Sequence, residues 1–448
     1  MKRVHAGLLT AAVAALAACV GATSAVAEPL VAGPLERHVA LHRSAPPTTS
    51  QCLASAGISC YSPAQFQKAY DLAPLYARGD DGSGRTIAIV DSFGSPTIAQ
   101  DLAKFDSDFG LPAPSLRIIQ PAGPVPPYDP TDDTMVGWAE ETTLDVEWAH
   151  AMAPGARLLL VETPVAETEG ETGMPEIVKA ENYVIDHHLA DVITQSFGAT
   201  EETFKSRASL LSLRGAFINA AAHGVTVLAG SGDTGSTDYE SDGVTVYPHQ
   251  VNSWPSSDPL VTSLGGTQLH LDDAGNRLAP DNAWTEALDV CACAGGGGPS
   301  HVFPRPVFQF GTDTGAGFAR ATPDVSMSAA VDGGVLVYLS FGGIDPGYYI
   351  FGGTSEASPL FSGVVAIGAQ VAHHPLGDIN LRLYALSHRQ SAAGIVDVTA
   401  GDNSFTAYDD NGNPLFTVPG FAADRGYDMA SGLGTVDAAR FVRALAGR

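Results

Sequence analysis

The chain has 448 residues, 45% of them hydrophobic, and carries 49 acidic against 23 basic side chains, a formal net charge of −26 at pH 7. So many carboxylates make nucleic acid an unfavourable partner, because its phosphates would be repelled. The hydrophobic content suffices for a sizeable core, so we expect one large α/β domain or two ordinary ones rather than a disordered chain.

The N-terminal segment has the features of a secretory signal peptide. Lys2 and Arg3 precede an apolar run over 6–20, and Ala25-Val26-Ala27 forms an Ala-x-Ala cleavage site. We therefore predict a signal peptide over 1–27 and a secreted, extracellular protein. Residues 16–19, Leu-Ala-Ala-Cys, also match a bacterial lipoprotein box, which leaves a lipid anchor at Cys19 as the alternative. No later apolar run reaches the roughly 18 residues that a membrane span needs.

Four cysteines remain after that segment: Cys52, Cys60, Cys291 and Cys293. In an oxidising compartment they could pair in three ways, and a Cys52–Cys60 disulfide that closes a short loop is favoured. A Cys291–Cys293 bond would close a tight ring, so free thiols are the alternative there. The Pro-, Thr- and Ser-containing stretch 28–56 predicts an extended N-terminal extension before a globular domain over 57–448.

Short β-branched runs alternate with helical patterns along the rest of the chain. Strands are predicted over 86–90, 116–120, 157–161, 192–196 and 225–229, and helices over 98–109, 140–152, 176–188, 204–223 and 360–371. This alternation predicts an α/β fold with a mainly parallel sheet covered by helices on both faces. Functional side chains in such folds gather at the carboxyl ends of the strands.

The stretch 351–359, Phe-Gly-Gly-Thr-Ser-Glu-Ala-Ser-Pro, is the most informative motif. Its glycines allow a tight turn and the close approach of a substrate. Ser355 then begins a predicted helix, where backbone N–H groups and the helix dipole favour developing negative charge. A nucleophilic serine fits this pattern, and helix capping by Thr354 or Ser355 is the alternative interpretation.

Carboxylates of matching chemistry occur elsewhere in the chain. Glu141 and Asp145 are four residues apart, so they share one face of a predicted helix. They form either a solvated acidic face or, in a cleft, a pair that shares a proton and acts as general base and orienting partner. Asp233 follows a predicted strand, and it either belongs to an ordinary turn or, when protonated, donates a hydrogen bond to an oxyanion.

Two C-terminal segments, Asp397-Val398 and 423–428 (Ala-Asp-Arg-Gly-Tyr-Asp), contain aspartates within glycine-containing loops. Two carboxylates and several carbonyl oxygens would suit a calcium ion, although aspartates in turns are more often caps.

From about Cys60 to the C-terminus, the chain resembles the sedolisin family, the serine-carboxyl peptidases. Four motifs in order carry the resemblance: Glu141-x-x-Leu144-Asp145, Ser231-Gly232-Asp233, Gly353-Thr354-Ser355-x-x-x-Pro359, and Asp397-Val398 with Gly426-Tyr427-Asp428. The resemblance implies a subtilisin-like fold with a seven-stranded parallel sheet. It also implies an acid-acting peptidase with protein or peptide substrates. Endopeptidase cleavage is the default expectation, because no segment is identified that blocks one end of the cleft.

The resemblance assigns roles residue by residue. Ser355 is the expected nucleophile, Glu141 its general base, Asp145 the residue that orients Glu141, and Asp233 the oxyanion contact. One structural Ca²⁺ is expected, with ligands from the side chains of Asp397 and Asp428 and the carbonyls of Val398, Asp424 and Gly426.

The chain departs from the family pattern in three places. Phe197 stands where relatives usually carry tryptophan, and Asp424 stands where glycine is common. Only about thirty residues separate Ala27 from the predicted core, whereas many relatives carry a long propeptide domain.

Three other functions stay open from the sequence. One is a subtilisin-type peptidase with Asp91 and a histidine base such as His223. The others are a secreted non-catalytic binding protein and an enzyme with tripeptidyl-peptidase specificity. For every case we expect a monomer without a transmembrane segment.

Overall fold

One central β-sheet organises the chain in a computed structural model that describes residues 37–288, 291–409 and 411–448. The predicted signal peptide and Cys19 lie outside these residues. The strands of the sheet are β1 (Thr86–Ser92), β2 (Ser115–Ile119), β3 (Arg157–Thr163), β4 (Val192–Gln195), β5 (Thr226–Gly230), β6 (Thr262–Gln268), β7 (Asn282–Ala283) and β8 (Val325–Ser328).

The sheet is parallel in the order β2-β3-β1-β4-β5-β6-β8, and the short β7 pairs antiparallel with the end of β6. The prediction of a mainly parallel sheet of about seven strands is therefore confirmed. β6 and β8 were not predicted from the sequence. β6 is rich in serine, threonine and glycine, and two of the four residues of β8 are serine. Gly266 of β6 is required by packing, since a Cβ there would lie 2.7 Å from the Trp284 ring.

Helices cover both faces of the sheet, as predicted. They are α1 (Thr49–Ala56), α2 (Pro63–Ala69), α3 (Ala73–Tyr76), α4 (Ile98–Phe109), α5 (Asp133–Met152), α6 (Met174–Asp186), α7 (Arg207–Ser212), α8 (Gly215–His223), α9 (Thr354–Ala372), α10 (Asn380–Ser387) and α11 (Ala438–Leu445). Alternating residues of β1 separate the two cores. Ile87 and Ile89 belong to the core that includes α5 and α9, whereas Ala88 and Val90 belong to the core that includes α6 and α8.

Several predicted helices have different bounds in the structure, and two of these differences have a clear local cause. α5 begins seven residues earlier than expected, because the Asp132 side chain caps it by accepting hydrogen bonds from the N–H groups of Thr134 and Met135. The helix expected over 204–223 is divided into α7 and α8. Gly215, a weak helix former, stands at the start of the second piece.

The expected extended segment 28–56 is folded in its described part, which corrects the prediction. Arg37–Arg43 forms a strand antiparallel to Gly347–Gly352. α1 follows, with a capping box between Thr48 and Gln51. The Cys52–Cys60 disulfide is confirmed and ties α1 to the strand Cys60–Tyr61. Sheet pairing, capping and the disulfide outweigh the extended character of the composition.

The remaining strands form smaller sheets. Arg37–Arg43, Gly347–Gly352, Gly334–Leu339 and Cys60–Tyr61 make a four-stranded sheet. The two-stranded pairs are Ala199–Thr200 with Ser253–Trp254, Thr285–Ala287 with Ala292–Ala294, Gly298–Pro304 with Ala319–Thr322, Ile395–Val396 with Thr435–Val436, and Phe405–Tyr408 with Pro414–Val418. Cys291 and Cys293 form a disulfide, so the free-thiol alternative is wrong. Within the described ranges, no helix has both the length and the apolarity of a membrane span.

Candidate active site

Ser355 lies in the first turn of α9 and has no exposed surface. The turn before it depends on glycine. Gly353 has φ 112°, which side-chain-bearing residues rarely adopt, and a Cβ on Gly352 would lie 2.6 Å from the Ala329 carbonyl oxygen. The strand Gly347–Gly352 therefore turns directly into the helix, and Ser355 is held at the helix N-terminus.

Pro359 changes the hydrogen bonding of Ser355. Proline has no N–H group, so it leaves the carbonyl of the residue four positions earlier without its usual helical donor. The Ser196 hydroxyl lies 3.4 Å from the Ser355 carbonyl oxygen, and the Ser355 hydroxyl lies 3.4 Å from the Ser196 carbonyl oxygen. Ser196 directly follows β4, so this pair fixes the serine turn to the carboxyl end of the sheet.

Glu141 and Asp145 lie on consecutive turns of α5, and both are fully buried. The two carboxyl groups lie within hydrogen-bonding reach of each other. Their helix packs closely on α9, because a Cβ on Gly363 would lie only 2.6 Å from the Met152 Cβ. The alternative of a solvated acidic face is therefore wrong, and α5 and α9 bring Glu141, Asp145 and Ser355 into one region.

Asp145 connects the carboxylate pair to the serine turn. Its Oδ1 accepts a hydrogen bond of 2.9 Å from the Ser196 hydroxyl. Burial, together with the charge of Asp91 at the end of β1, raises the pKa of Asp145 well above its usual range. Burial also raises the pKa of Asp91. The hydrogen bonds that Asp145 makes with Ser196 and Glu141 act in the opposite direction, because they favour its ionised form.

Asp233 follows β5 and is fixed by the residue before the serine. Its Oδ1 accepts hydrogen bonds from the Thr354 N–H at 2.8 Å and from the Thr354 hydroxyl at 2.9 Å. Its Oδ2 is buried and has no hydrogen-bond partner among the described residues. Burial raises the pKa of Asp233 to about 7, although Arg37 and Thr354 act in the opposite direction. A protonated Oδ2 is thus available as a hydrogen-bond donor in acid.

Two other expectations concern the surroundings of the site. Phe197, which stands in place of the family tryptophan, is buried, and its ring lies 6.3 Å from that of Trp138. His223, the histidine of the subtilisin-type alternative, lies at the last turn of α8, just before β5 begins. It is therefore at the amino end of that strand, whereas Asp233 lies at the carboxyl end. This position does not suit a base for Ser355.

The expected calcium ligands lie in one C-terminal cluster. The Asp397 carboxylate accepts from the Gly426 N–H at 3.1 and 3.2 Å, and the Asp428 carboxylate accepts from the Asp424 N–H at 3.0 Å. Among the described residues no three side chains of the His, Cys, Asp and Glu types are grouped to hold a metal. Two carboxylates and nearby carbonyl groups are nevertheless hard oxygen donors that fit calcium.

The residues that connect the site have no role predicted from the sequence. Ser196 joins Asp145 to Ser355, and Thr354 holds Asp233. Asp91 entered only as the acid of the alternative enzyme. Asp91 and Ser196 stand at the carboxyl ends of predicted strands, and this position is the sequence feature that could have indicated a role in the site.

Comparisons with known proteins identify the family of the chain. The model of the Subtilase family matches residues 134–382, more than half of the chain. Kumamolisin from Bacillus sp. (strain MN-32) is 32% identical over 397 residues, which are 87% of this chain and 64% of kumamolisin. Tripeptidyl-peptidase 1 of Canis lupus familiaris is 27% identical over 322 residues, which are 68% of this chain and 51% of that protein. The chain thus spans between half and two thirds of these relatives.

A solved structure of Pseudomonas sedolisin, a serine-carboxyl proteinase complexed with two molecules of pseudo-iodotyrostatin, has a TM-score of 0.71 and 28% sequence identity. The match covers 87% of this chain and 99% of that one. The chain therefore belongs to the subtilase family and, within it, to the sedolisins.

Proposed function

We propose that the protein is a serine-carboxyl peptidase that hydrolyses peptide bonds of protein or peptide substrates in acid. The observation that carries the proposal is the connected set of buried groups Ser355, Ser196, Asp145 and Glu141. A non-catalytic binding protein would have no need for this arrangement. Similarity to kumamolisin and to Pseudomonas sedolisin supports the same reaction.

The mechanism transfers one proton back and forth. Glu141 accepts the proton of the Ser355 hydroxyl as Oγ attacks the peptide carbonyl carbon. The C–N bond of the tetrahedral intermediate then breaks, and Glu141 returns the proton to the leaving amine. Water repeats the sequence on the acyl-enzyme and regenerates Ser355. Asp145 orients Glu141 in this proposal, through the contact between the two buried carboxyl groups.

Asp233 supplies the oxyanion contact in this proposal. Thr354 fixes Oδ1, so the proton resides on Oδ2 and can be donated to the developing negative charge. Because only the protonated acid donates, activity should fall as pH rises through the pKa of Asp233. This dependence supports a working range in acid.

A single structural calcium ion is part of the proposal. The side chains of Asp397 and Asp428 and the carbonyls of Val398, Asp424 and Gly426 would hold it. Bound there, the ion would cross-link the segment after the Ile395–Val396 strand to the loop 424–428. It takes no part in the peptidase reaction.

We further propose a secreted, monomeric endopeptidase. Similarity to tripeptidyl-peptidase 1 supports the release of tripeptides as a second candidate activity. Peptides with a free or an acetylated N-terminus distinguish the two, because only an endopeptidase cleaves both. Mass spectrometry of the products gives the answer.

The base assignment is tested with Glu141→Gln and the matched control Glu140→Gln. Glu140 is the adjacent buried residue of α5, and its Oε1 lies 3.8 Å from the His38 ring nitrogen. We expect Glu141→Gln to remove turnover and Glu140→Gln to retain it, with both proteins folded by circular dichroism. An active Glu141→Gln enzyme contradicts the proposed base.

A further inference from the structure

The segment 291–298, which contains the Cys291–Cys293 disulfide and the glycine run, lies against the loop that carries Asp233. The Ala294 N–H donates to the Asp233 carbonyl at 2.9 Å, and the Gly235 N–H donates to the Ala294 carbonyl at 2.9 Å. The Gly296 N–H donates to the Gly232 carbonyl at 2.7 Å. We call 291–298 the backing segment, because it bonds to the backbone on both sides of Asp233.

The glycine run permits this contact. A Cβ on Gly296 would lie 2.0 Å from the Ser231 carbonyl oxygen, and a Cβ on Gly297 would lie 2.2 Å from the Met429 carbonyl oxygen. The Ser231 hydroxyl also donates to the Gly296 carbonyl at 2.7 Å. These backbones can approach only without side chains, and Gly296 is the glycine that packs directly against the Asp233 loop.

The strand Thr285–Ala287, which pairs with Ala292–Ala294 of the backing segment, is fixed to the protein core. Glu286 pairs with Cys293 across the two strands, and its carboxylate accepts from the N–H groups of Val331 and Asp332 and from the Trp284 ring N–H. Trp284 and Cys293 belong to one buried apolar cluster. The disulfide closes the strand directly before Ala294, so it stiffens the element that bonds to Asp233.

We propose that the backing segment, closed by the Cys291–Cys293 disulfide, is the positioning element of Asp233, an inference that rests on the proposed peptidase function. Oδ1 is held by Thr354, but the direction of Oδ2 also depends on the backbone that the backing segment holds. An oxyanion donor must be placed within a fraction of an ångström, and small displacements cost large factors in rate.

The test replaces both cysteines by alanine, Cys291→Ala/Cys293→Ala, and uses Cys52→Ala/Cys60→Ala as the matched control that removes the other disulfide. We expect kcat of the first variant to fall about tenfold or more with KM within about twofold. We also expect its activity to decline at a lower pH than in wild type, because a looser Asp233 loop admits water. The control should retain the wild-type pH profile. An unchanged kcat and pH profile in the first variant would overturn the inference.

A double-variant experiment separates positioning from general destabilisation. If the backing segment acts through Asp233, the cysteine substitutions should add less than about a twofold loss in the Asp233→Ala background. A full additional loss there contradicts the inference. If Asp233→Ala alone leaves activity unchanged, the proposed oxyanion role fails instead.

Should the alanine pair not fold, the Cys52→Ala/Cys60→Ala protein retains only the disulfide of interest. Dithiothreitol reduces it to two thiols, taking up two electrons and two protons, and is itself oxidised to its cyclic disulfide. A fall in kcat that reverses on reoxidation supports the inference, and unchanged kcat after complete reduction refutes it.

Discussion

The substitution Glu181→Gln tests whether a buried carboxyl group makes the folded protein more stable in acid than at neutral pH. Glu181 lies on α6, far along the chain from the proposed catalytic residues, and is 1% exposed. Neither carboxylate oxygen has a hydrogen-bond partner among the described residues. Burial alone raises the pKa of Glu181 from 4.5 to about 8.

The sign of the effect follows from proton linkage. Above pH 4.5 the unfolded state releases the Glu181 proton, whereas the folded state retains it until about pH 8. The unfolded state therefore binds fewer protons, and the free energy of unfolding falls as pH rises between these values. One pH unit corresponds to about 1.4 kcal/mol, so wild type should lose up to about 4 kcal/mol through Glu181 between pH 4.5 and 7.5.

A glutamine has the same shape and no charge to lose. We expect Glu181→Gln to match wild type within about 1 kcal/mol near pH 4 and to be more stable at pH 7.5 by up to about 4 kcal/mol. Urea unfolding at both pH values measures the difference. Glu176→Gln, at a partly exposed position of the same helix, is the matched control for the loss of a carboxyl group from α6. Equal pH dependence of Glu181→Gln and wild type would refute the reasoning.

Three further predictions concern the site and its support. Asp233→Asn should retain activity in acid and extend it upwards, because an amide donates at any pH; since the pKa of Asp233 is about 7, the ratio of kcat at pH 8 to that at pH 5 should rise about tenfold. Gly363→Ala should lower the free energy of unfolding by about 1–3 kcal/mol and reduce kcat, because its Cβ would lie 2.6 Å from that of Met152. Gly368→Ala is the matched control, because its Cβ would contact only the ends of leucine side chains. Asp428→Asn should lower Tm in the presence of calcium. A chelator should lower the Tm of wild type but not that of Asp428→Asn, and equal chelator effects on Tm in both proteins would contradict the calcium site.

The local features of the site could be predicted because they depend on residues that are close together in the sequence. A four-residue spacing places Glu141 and Asp145 on one helix face, and two glycines before Ser355 indicate a tight turn. The parallel sheet followed from alternating apolar strands and amphipathic helices. Each of these inferences depends on neighbouring residues only.

The contacts that join these features could not be predicted, because they connect distant parts of the chain. Ser196 and Asp145 are 51 residues apart, and Thr354 and Asp233 are 121 residues apart. Serine and threonine at such positions look like ordinary cap residues in the sequence. The glycine run over 295–298 is visible in the sequence, but the close approach of Gly296 to Ser231 depends on the tertiary structure.

The central claim is that Ser355 is the nucleophile of an acid-acting peptidase, and digestion of a denatured protein from pH 3 to 8 tests it most directly. Purified wild type and Ser355→Ala should be compared, with folding checked in both. We predict cleavage by wild type in acid, a decline as pH rises above about 7 with the ionisation of Asp233, and no cleavage by Ser355→Ala at any pH. Cleavage by folded Ser355→Ala, or a wild-type optimum above neutrality, would contradict the account.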